Sequence, residues 1–326
     1  MSTPPIRKVL ITGGRETGGL QAYALALAEG FRQLGFTAEV VAPTSLLHRL
    51  RELRDPGTLK ILSTTAVFAA PLARNCICVA HGFPRPDAQG WLRTILILAS
   101  LKLANLTRRC PLVAVSDYVA VHLEAVYNLR VQAAIRNPVQ NLFLEHPEAN
   151  SERSYITYVG RLIAAKNVHK LLPSMRRMLD QHPSLRICIA GSGPLLPMLK
   201  EIAGTDPRIE FTGDIPSLAI RDLLRKTCVF ASANETEPFG ITYLEALSQG
   251  CAVVMPACGG GIEIAPYLIG TQIQLMSLDF AEDTTDKAFR DALCHSGQVF
   301  DLQGYHAHQV ASRYLKCAER GGIILP

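Results

Sequence analysis

The 326-residue sequence predicts an α/β protein built as two doubly wound domains, and three observations carry that expectation. A chain of this length exceeds one ordinary core and suits two. Short apolar runs alternate with helical stretches from residue 8 onward, the pattern of parallel strands covered on both faces. The alternation breaks around Asn137-Pro138-Val139 and the polar stretch from Glu145 to Arg153, then restarts at Tyr155-Ile156-Thr157-Tyr158-Val159-Gly160. The domains are therefore expected at residues 1–150 and 151–326.

The chain opens with an apolar strand over residues 8–12, a glycine loop over 13–19, a helix over 20–34 and a strand over 38–42, which is a βαβ unit. A basic amphipathic helix is expected next: Thr44 or Ser45 caps it, Asp55-Pro56-Gly57 stops it, and Leu46, Leu47, Leu50 and Leu53 form one stripe flanked by Arg49, Arg51 and Arg54. A strand over 76–80, a helix near 89–107, a strand over 112–115 and a helix near 117–127 complete the first half. In the second half, strands are expected near 155–160, 186–190, 209–211, 229–231 and 252–255, with helical stretches between them. Residues 279–300 show no clear period; a last helix near 305–319 is expected to pack back on the N-terminal domain.

Composition narrows the classes. With 48% hydrophobic and 19% charged residues, the chain is folded rather than disordered. No signal peptide is expected at its start, and the apolar stretch from Leu92 to Leu106, interrupted by Arg93 and Lys102, falls short of the roughly 20 apolar residues of a membrane span. A cytoplasmic protein is expected, and its nine scattered cysteines read as reduced core residues with no metal-ligand spacing. Residues 1–150 hold 16 Lys and Arg against 10 Asp and Glu, while residues 151–326 hold 17 against 18, so the positive excess is N-terminal.

Two segments bear chemistry. In Glu237-Pro238-Phe239-Gly240-Ile241-Thr242-Tyr243-Leu244-Glu245, proline and glycine favour a loop that delivers backbone N–H groups to a helix N-terminus, where phosphate is stabilised by donors and dipole together. Glu237 precedes that helix and Glu245 lies about a turn and a half inside it, and a carboxylate is the natural acceptor for a sugar or ribose diol. In Tyr158-Val159-Gly160-Arg161-Leu162-Ile163-Ala164-Ala165-Lys166, two cations follow a strand's carboxyl end, placed to meet a diphosphate.

Both segments resemble glycosyltransferase family 4, the group 1 retaining enzymes of the GT-B fold, and the resemblance extends to about residue 265. It is supported in order by Ser116, Ile135-Arg136-Asn137-Pro138-Val139, Ala190-Gly191-Ser192-Gly193-Pro194 and Phe211-Thr212-Gly213-Asp214. The resemblance implies two Rossmann-like domains facing across a cleft, an acceptor-binding one followed by a nucleotide-sugar-binding one. It implies that Glu237 contacts the donor sugar and that Glu245 contacts the nucleotide ribose. Arg161 and Lys166 would hold the diphosphate, with Gly160, Gly191, Gly193, Gly213, Asp214, Phe239 and Gly240 shaping the nucleotide pocket. Gly191 and Gly193 also read as an ordinary glycine-flanked turn. The chain departs from the family at Thr236, at Ala231-Ser232-Ala233, where the usual Pro-Ser is Ala-Ser or Ala-Asn, and after Glu263-Ile264, where the expected Gly-x-x-Gly is missing and Gly259-Gly260-Gly261 precedes Glu263 instead.

The first glycine loop lacks the G-x-G-x-x-G spacing and the following acid of a dehydrogenase, and Gly19-Leu20 stands where a Walker loop needs Lys-Ser/Thr. Gly18 and Gly19 are instead similar to the family's loop that approaches the donor phosphates. His81, at the end of the strand over 76–80, is expected either to bond a donor hydroxyl or to cap the strand. The expected reaction is sugar transfer from a nucleotide-diphosphate sugar with retention and without a metal or other cofactor, onto a lipid-linked or saccharide acceptor of polysaccharide or lipopolysaccharide biosynthesis. The rivals are a sugar-nucleotide epimerase and an inactive scaffold. The basic helix over 44–54 and the segment from Leu92 to Arg109 add the expectation of a peripheral contact with an anionic membrane, on its inner face; no nucleic-acid partner is expected.

Overall fold

The computed structural model describes residues 5–14, 18–84, 90–107, 110–147 and 152–323. They form two compact units, Met1–Asn141 with Gln303–Pro326, and Leu142–Leu302. The expected boundary at 150/151 falls outside the described residues; by contacts the chain divides at 141/142, and its last segment returns to the first unit.

In the first unit the order is β1 (Lys8–Thr12), α1 (Gly19–Gln33), β2 (Thr37–Val41), a 3-10 segment Pro43–Arg49, α2 (Leu50–Arg54), β3 (Thr58–Ser63), a second 3-10 segment Thr64–Leu72, β4 (Cys76–Ala80), α3 (Trp91–Thr107), β5 (Leu112–Ala114), α4 (Asp117–Tyr127) and β6 (Ala133–Ala134). The sheet is parallel, in the order β2-β1-β3-β4-β5-β6. Strands β3 and β4 are buried along their whole length, as strands covered by helices on both faces must be. Strand β3 was not legible because Lys60 sits in its middle. That side chain is fully buried, its Nζ donating to the carbonyls of Asp55 (2.6 Å), Thr58 (2.8 Å) and Arg74 (2.8 Å), and burial lowers its pKa to about 8.

The second unit contains β7 (Tyr155–Val159), α5 (Val168–Gln181), β8 (Arg186–Ala190), α6 (Leu196–Ala203), β9 (Ile209–Gly213), α7 (Ser217–Arg225), β10 (Thr227–Ala231), α8 (Ile241–Ser248), β11 (Ala252–Pro256), β12 (Ile273–Met276) and α9 (Glu282–Leu293). Its parallel sheet runs β12-β11-β10-β7-β8-β9. Successive strands β7 to β9 grow to one side and β10 to β12 to the other, so the order reverses between β7 and β10. Ligands of open α/β sheets bind outside the carboxyl ends at such a switch point. A core of Ile156, Leu171, Met175, Ile187, Val229 and Phe289, among others, packs helices on this sheet. The unassigned stretch 279–300 contains α9, whose buried Ala288, Phe289 and Ala292 share one helical face.

The last helix, α10 (Ala307–Arg320), packs on α1 within the first unit. Its buried Tyr314 hydroxyl bonds that of Tyr23 (2.9 Å), and α1 crosses it at Gly30, where a Cβ would collide with the Ala307 carbonyl. The amphipathic helix expected over 44–54 is instead a 3-10 segment followed by one short α-helix. Leu46 and Leu53 are buried while Leu50 is 46% exposed, so the expected stripe is broken; the Leu47 side chain lies outside the described residues. Arg49, expected to reach a membrane surface, turns instead to Glu39 (2.6 and 3.1 Å) and Glu52 (2.7 Å), and Lys8 joins the same carboxylates. Its charge is thus compensated within the fold.

Candidate functional site

At the switch point of the second unit, the segments following β7 and β10 meet. Strands β7 and β10 are parallel neighbours, so their carboxyl ends are adjacent, which brings Lys166 to Glu237 with Nζ 2.9 Å from Oε2. Both side chains are mostly enclosed, at 24% and 19% exposure, so solvent screens this pair less than a surface pair. The same Oε2 accepts a hydrogen bond from Asn234 Nδ2 at 2.6 Å. The Asn234 amide has one orientation available, because its Oδ1 accepts from the Thr236 backbone N–H at 3.3 Å, which turns the NH2 group toward Glu237.

A second acid, Glu235, is held alongside. Asn167 adopts a left-handed backbone (φ 51°) between the turn Ala164–Lys166 and α5, and its Nδ2 donates to Glu235 Oε1 at 2.8 Å and to the Ala233 carbonyl at 3.3 Å. Lys170 lies 3.9 Å from the same carboxylate. The loop after β11 closes over this strip: the Gly260 N–H donates to the Glu237 carbonyl (2.8 Å), and a Cβ on Gly259 would stand 2.8 Å from that oxygen. A side chain at 259 would push the loop away from Glu237. Asn234, Asn167 and Glu235 were not expected as site residues; the Ala-Asn that stands near the usual Pro-Ser was a signal that could have drawn attention to Asn234.

Gly240 caps α8 with a left-handed backbone (φ 91°), and a Cβ there would press on the Tyr243 ring. Phe239 is buried beneath the turn, and the Tyr243 hydroxyl is anchored on Ser232 Oγ at 3.0 Å. Glu245, one turn into α8, is 6% exposed, and burial raises its carboxyl pKa to about 8. At neutral pH it is therefore chiefly protonated, ready to ionise against a partner that donates hydrogen bonds.

Along the other strand ends, Gly160, Gly191 and Gly193 allow backbone contact that no other residue permits. A Cβ on Gly191 would overlap the Gly160 carbonyl, and one on Gly193 the Leu162 carbonyl. Arg161 leaves this turn exposed, its carbonyl accepting from the Tyr158 hydroxyl at 3.0 Å. Asp214, following Gly213 at the end of β9, is exposed and accepts from Ser192 Oγ at 2.6 Å. The structure thus gathers Lys166 and Glu237 into one cluster, places Gly160, Gly191, Gly193, Gly213 and Asp214 along the same sheet end, and sets Gly240 at the cap of α8 and Glu245 within it.

His81, Gly18 and Gly19 belong to the first unit. His81 follows β4 with its ring edge-on to Tyr23 (centroids 4.3 Å), and its buried Nε2 has no hydrogen-bond partner among the described residues. Burial lowers its pKa to about 3, so the imidazole is neutral across the physiological range. Gly18 caps α1 at φ 127°, and Cβ atoms on Gly18 or Gly19 would meet no other atom among the described residues. The intervening residues 15–17 of that loop lie outside the described residues.

A family model, glycosyl transferases group 1, matches residues 140–266, the stretch that holds the Lys166, Glu237 and Glu245 side chains. Over 178 residues the chain is 28% identical to the phosphatidylinositol N-acetylglucosaminyltransferase gpi3 subunit of Schizosaccharomyces pombe, a match covering 53% of this chain but 39% of that relative. The chain thus spans well under half the length of that relative. Among solved structures, sucrose-phosphate synthase from Thermosynechococcus elongatus superposes with a TM-score of 0.70 at 15% identity, covering 98% of this chain and 95% of the other. Anabaena HepE, solved with UDP and glucose, superposes at 0.64 and 15% identity, over 97% of this chain and 98% of its own. The chain therefore has the GT-B fold of these proteins, and residues 140–266, where its charged cluster lies, match the group 1 glycosyl transferase model.

Proposed function

We propose that this protein is a retaining glycosyltransferase that moves a sugar from a nucleotide-diphosphate sugar to a lipid-linked or saccharide acceptor. The observation that carries the proposal is the Lys166–Glu237 pair at the switch point, one loop ahead of the glycine-capped helix α8 that buries Glu245. Arg161, Lys166 and the first N–H groups of α8 would hold the diphosphate, Glu237 a donor hydroxyl and Glu245 the ribose diol. The relative's name, which specifies phosphatidylinositol, supports a lipid acceptor, and the UDP and glucose of HepE support a nucleotide-sugar donor.

In this mechanism the acceptor hydroxyl attacks the anomeric carbon on the face the leaving group departs from. The bond from that carbon to the phosphate oxygen breaks, and the hydroxyl proton passes to the leaving phosphate oxygen. Arg161 and Lys166 stabilise the negative charge that grows there, which asks for no metal. The test is release of free nucleotide from UDP-, GDP- and ADP-sugars by the purified protein, with and without EDTA. Turnover of one class that survives EDTA is expected. Turnover of none would favour an inactive scaffold, conversion to an isomeric sugar nucleotide an epimerase, and a loss restored by added metal a metal-assisted reaction.

A further inference from the structure

Glu237 is held at two levels. Its main chain is fixed by the loop after β11, whose Gly260 N–H donates to the Glu237 carbonyl at 2.8 Å. Its carboxylate is fixed through one oxygen: Lys166 Nζ at 2.9 Å and Asn234 Nδ2 at 2.6 Å both donate to Oε2. Oε1 accepts no hydrogen bond among the described residues, although the side chain is only 19% exposed. The carboxylate is thus divided into an oxygen that the protein occupies and an oxygen that it leaves open.

The two partners of Oε2 differ in kind. Lys166 ends the short turn Ala164–Lys166, and its ammonium rides on a flexible four-carbon stem that can turn to a stronger anion. A diphosphate carries more negative charge than one carboxylate, and in the reading above Lys166 goes to it. Asn234 cannot follow. It is buried, at 4% exposure, in the loop after β10, and its Oδ1 accepts from Thr236 twice, from the N–H at 3.3 Å and from Oγ1 at 3.4 Å. The far side of the amide is therefore tied to its own loop. Once Lys166 has left, the terminal torsion of Glu237, intrinsically soft, is restrained at Oε2 by this one buried donor.

We infer that Asn234 is a positioning residue: it keeps hold of Glu237 Oε2 while Lys166 passes to the diphosphate, so that Oε1 stays available to accept a donor-sugar hydroxyl. The inference rests on the transferase reading above and deepens it. Lys166 is then the partner that exchanges and Asn234 the partner that stays.

The test sets Asn234→Ala beside Asn234→Asp in the full chain. Turnover of the sugar nucleotide at saturation is read as a ratio to the parent at each pH from about 5 to about 8, so that pH effects common to all three proteins cancel. Asn234→Ala is expected to lower turnover by about 10–100-fold at every pH, the worth of one hydrogen bond to a charged group, with the affinity for free nucleotide unchanged by calorimetry. Asn234→Asp puts two carboxyls within hydrogen-bond reach, and they share one proton. Glu237 and Glu235 favour that proton, Arg161, Lys166 and Lys170 from the segment after β7 oppose it, and the phenols of Tyr158 and Tyr243, raised by burial, stay neutral. The protonated carboxyl donates to Oε2 as the amide does. Asn234→Asp should therefore approach the parent at the acid end and fall toward Asn234→Ala as pH rises and the proton leaves. A residue that merely braced the loop would give no such slope. A flat ratio in Asn234→Asp overturns the inference, and so do equal losses of turnover and free-nucleotide affinity in Asn234→Ala. A parent protein that releases nucleotide from no sugar nucleotide removes the transferase reading alone. The same pH pattern in the affinity for UDP-, GDP- or ADP-glucose, relative to the free diphosphate, then supports the positioning role, and its absence overturns it.

Discussion

Glu237 and Lys166 neutralise each other, with Asn234 as a third member, so under the proposed function a donor would exchange partners there rather than meet bare charges. Replacing Glu237 by Gln keeps the shape but leaves Lys166 without its counter-charge. Turnover is expected to fall by at least 100-fold while the affinity for free nucleotide changes little, measured by hydrolysis and calorimetry side by side. Equal losses in both would contradict a sugar contact. Lys166→Ala is expected to lower turnover by about 10–1000-fold, as loss of a preorganised charge at a leaving group does. Glu245 supplies a pH signature. Its folded pKa, raised to about 8 by burial, lies above the value of 4.5 for an unburied carboxyl, so between those two pH values the folded protein holds a proton that the unfolded chain has lost. Stability from this group is therefore complete at low pH and declines as pH rises through that window. Glu245→Gln should raise the melting temperature at pH 8 more than at pH 5. If the ionised form accepts ribose hydroxyls, nucleotide affinity should climb about tenfold per pH unit as pH approaches 8 and level off above, and the Gln variant should lose that slope. A flat profile in the parent protein would remove Glu245 from the ribose.

Elements set these side chains in place through backbone geometry. Strands β7 and β8 are each followed by a glycine where their turns touch: Gly191 has a φ of 140° and no room for a Cβ above the Gly160 carbonyl. Gly191→Ala should cost about 1–3 kcal/mol, read from thermal or urea unfolding, and should weaken nucleotide binding because the Arg161 turn moves with it. Gly270→Ala, also at positive φ (86°) but with open space around it, is the control that separates strain from crowding. The Glu237-to-Glu245 element was readable in advance because its determinants are local: a proline, a capping glycine and a helix stripe within nine residues. Strand β3 was not, since a lysine in a strand reads as a surface edge until the carbonyls that surround Lys60 are known. The segment from Leu92 to Arg109 was legible as apolar and basic, but not which of the two apolar sides of α3 the core covers, because periodicity alone cannot say.

For the molecule as a whole, the first unit is closed by the end of the chain. Tyr23, Ala24 and Phe31 on α1 are buried, and α10 packs on that helix. Deleting residues 303–326 should therefore leave the protein insoluble or strongly binding a hydrophobic dye, whereas Tyr314→Phe, which removes one buried hydrogen bond, should cost only about 1–3 kcal/mol. A soluble, dye-silent truncated protein would show that α1 does not depend on α10. The amino-acid sequence by itself determined the alternation of strand and helix, the number of sheets, and the acids and cations of the 158–166 and 237–245 segments, because each depends on residues close in the chain. Only the tertiary structure decided which strands flank the switch point, that Asn234 and Lys166 converge on one oxygen of Glu237, that Arg49 is spent on Glu39 and Glu52, and that α3 keeps an apolar face in solvent. Those outcomes depend on contacts between residues tens of positions apart, whose energies exist only once the sheets have closed their order.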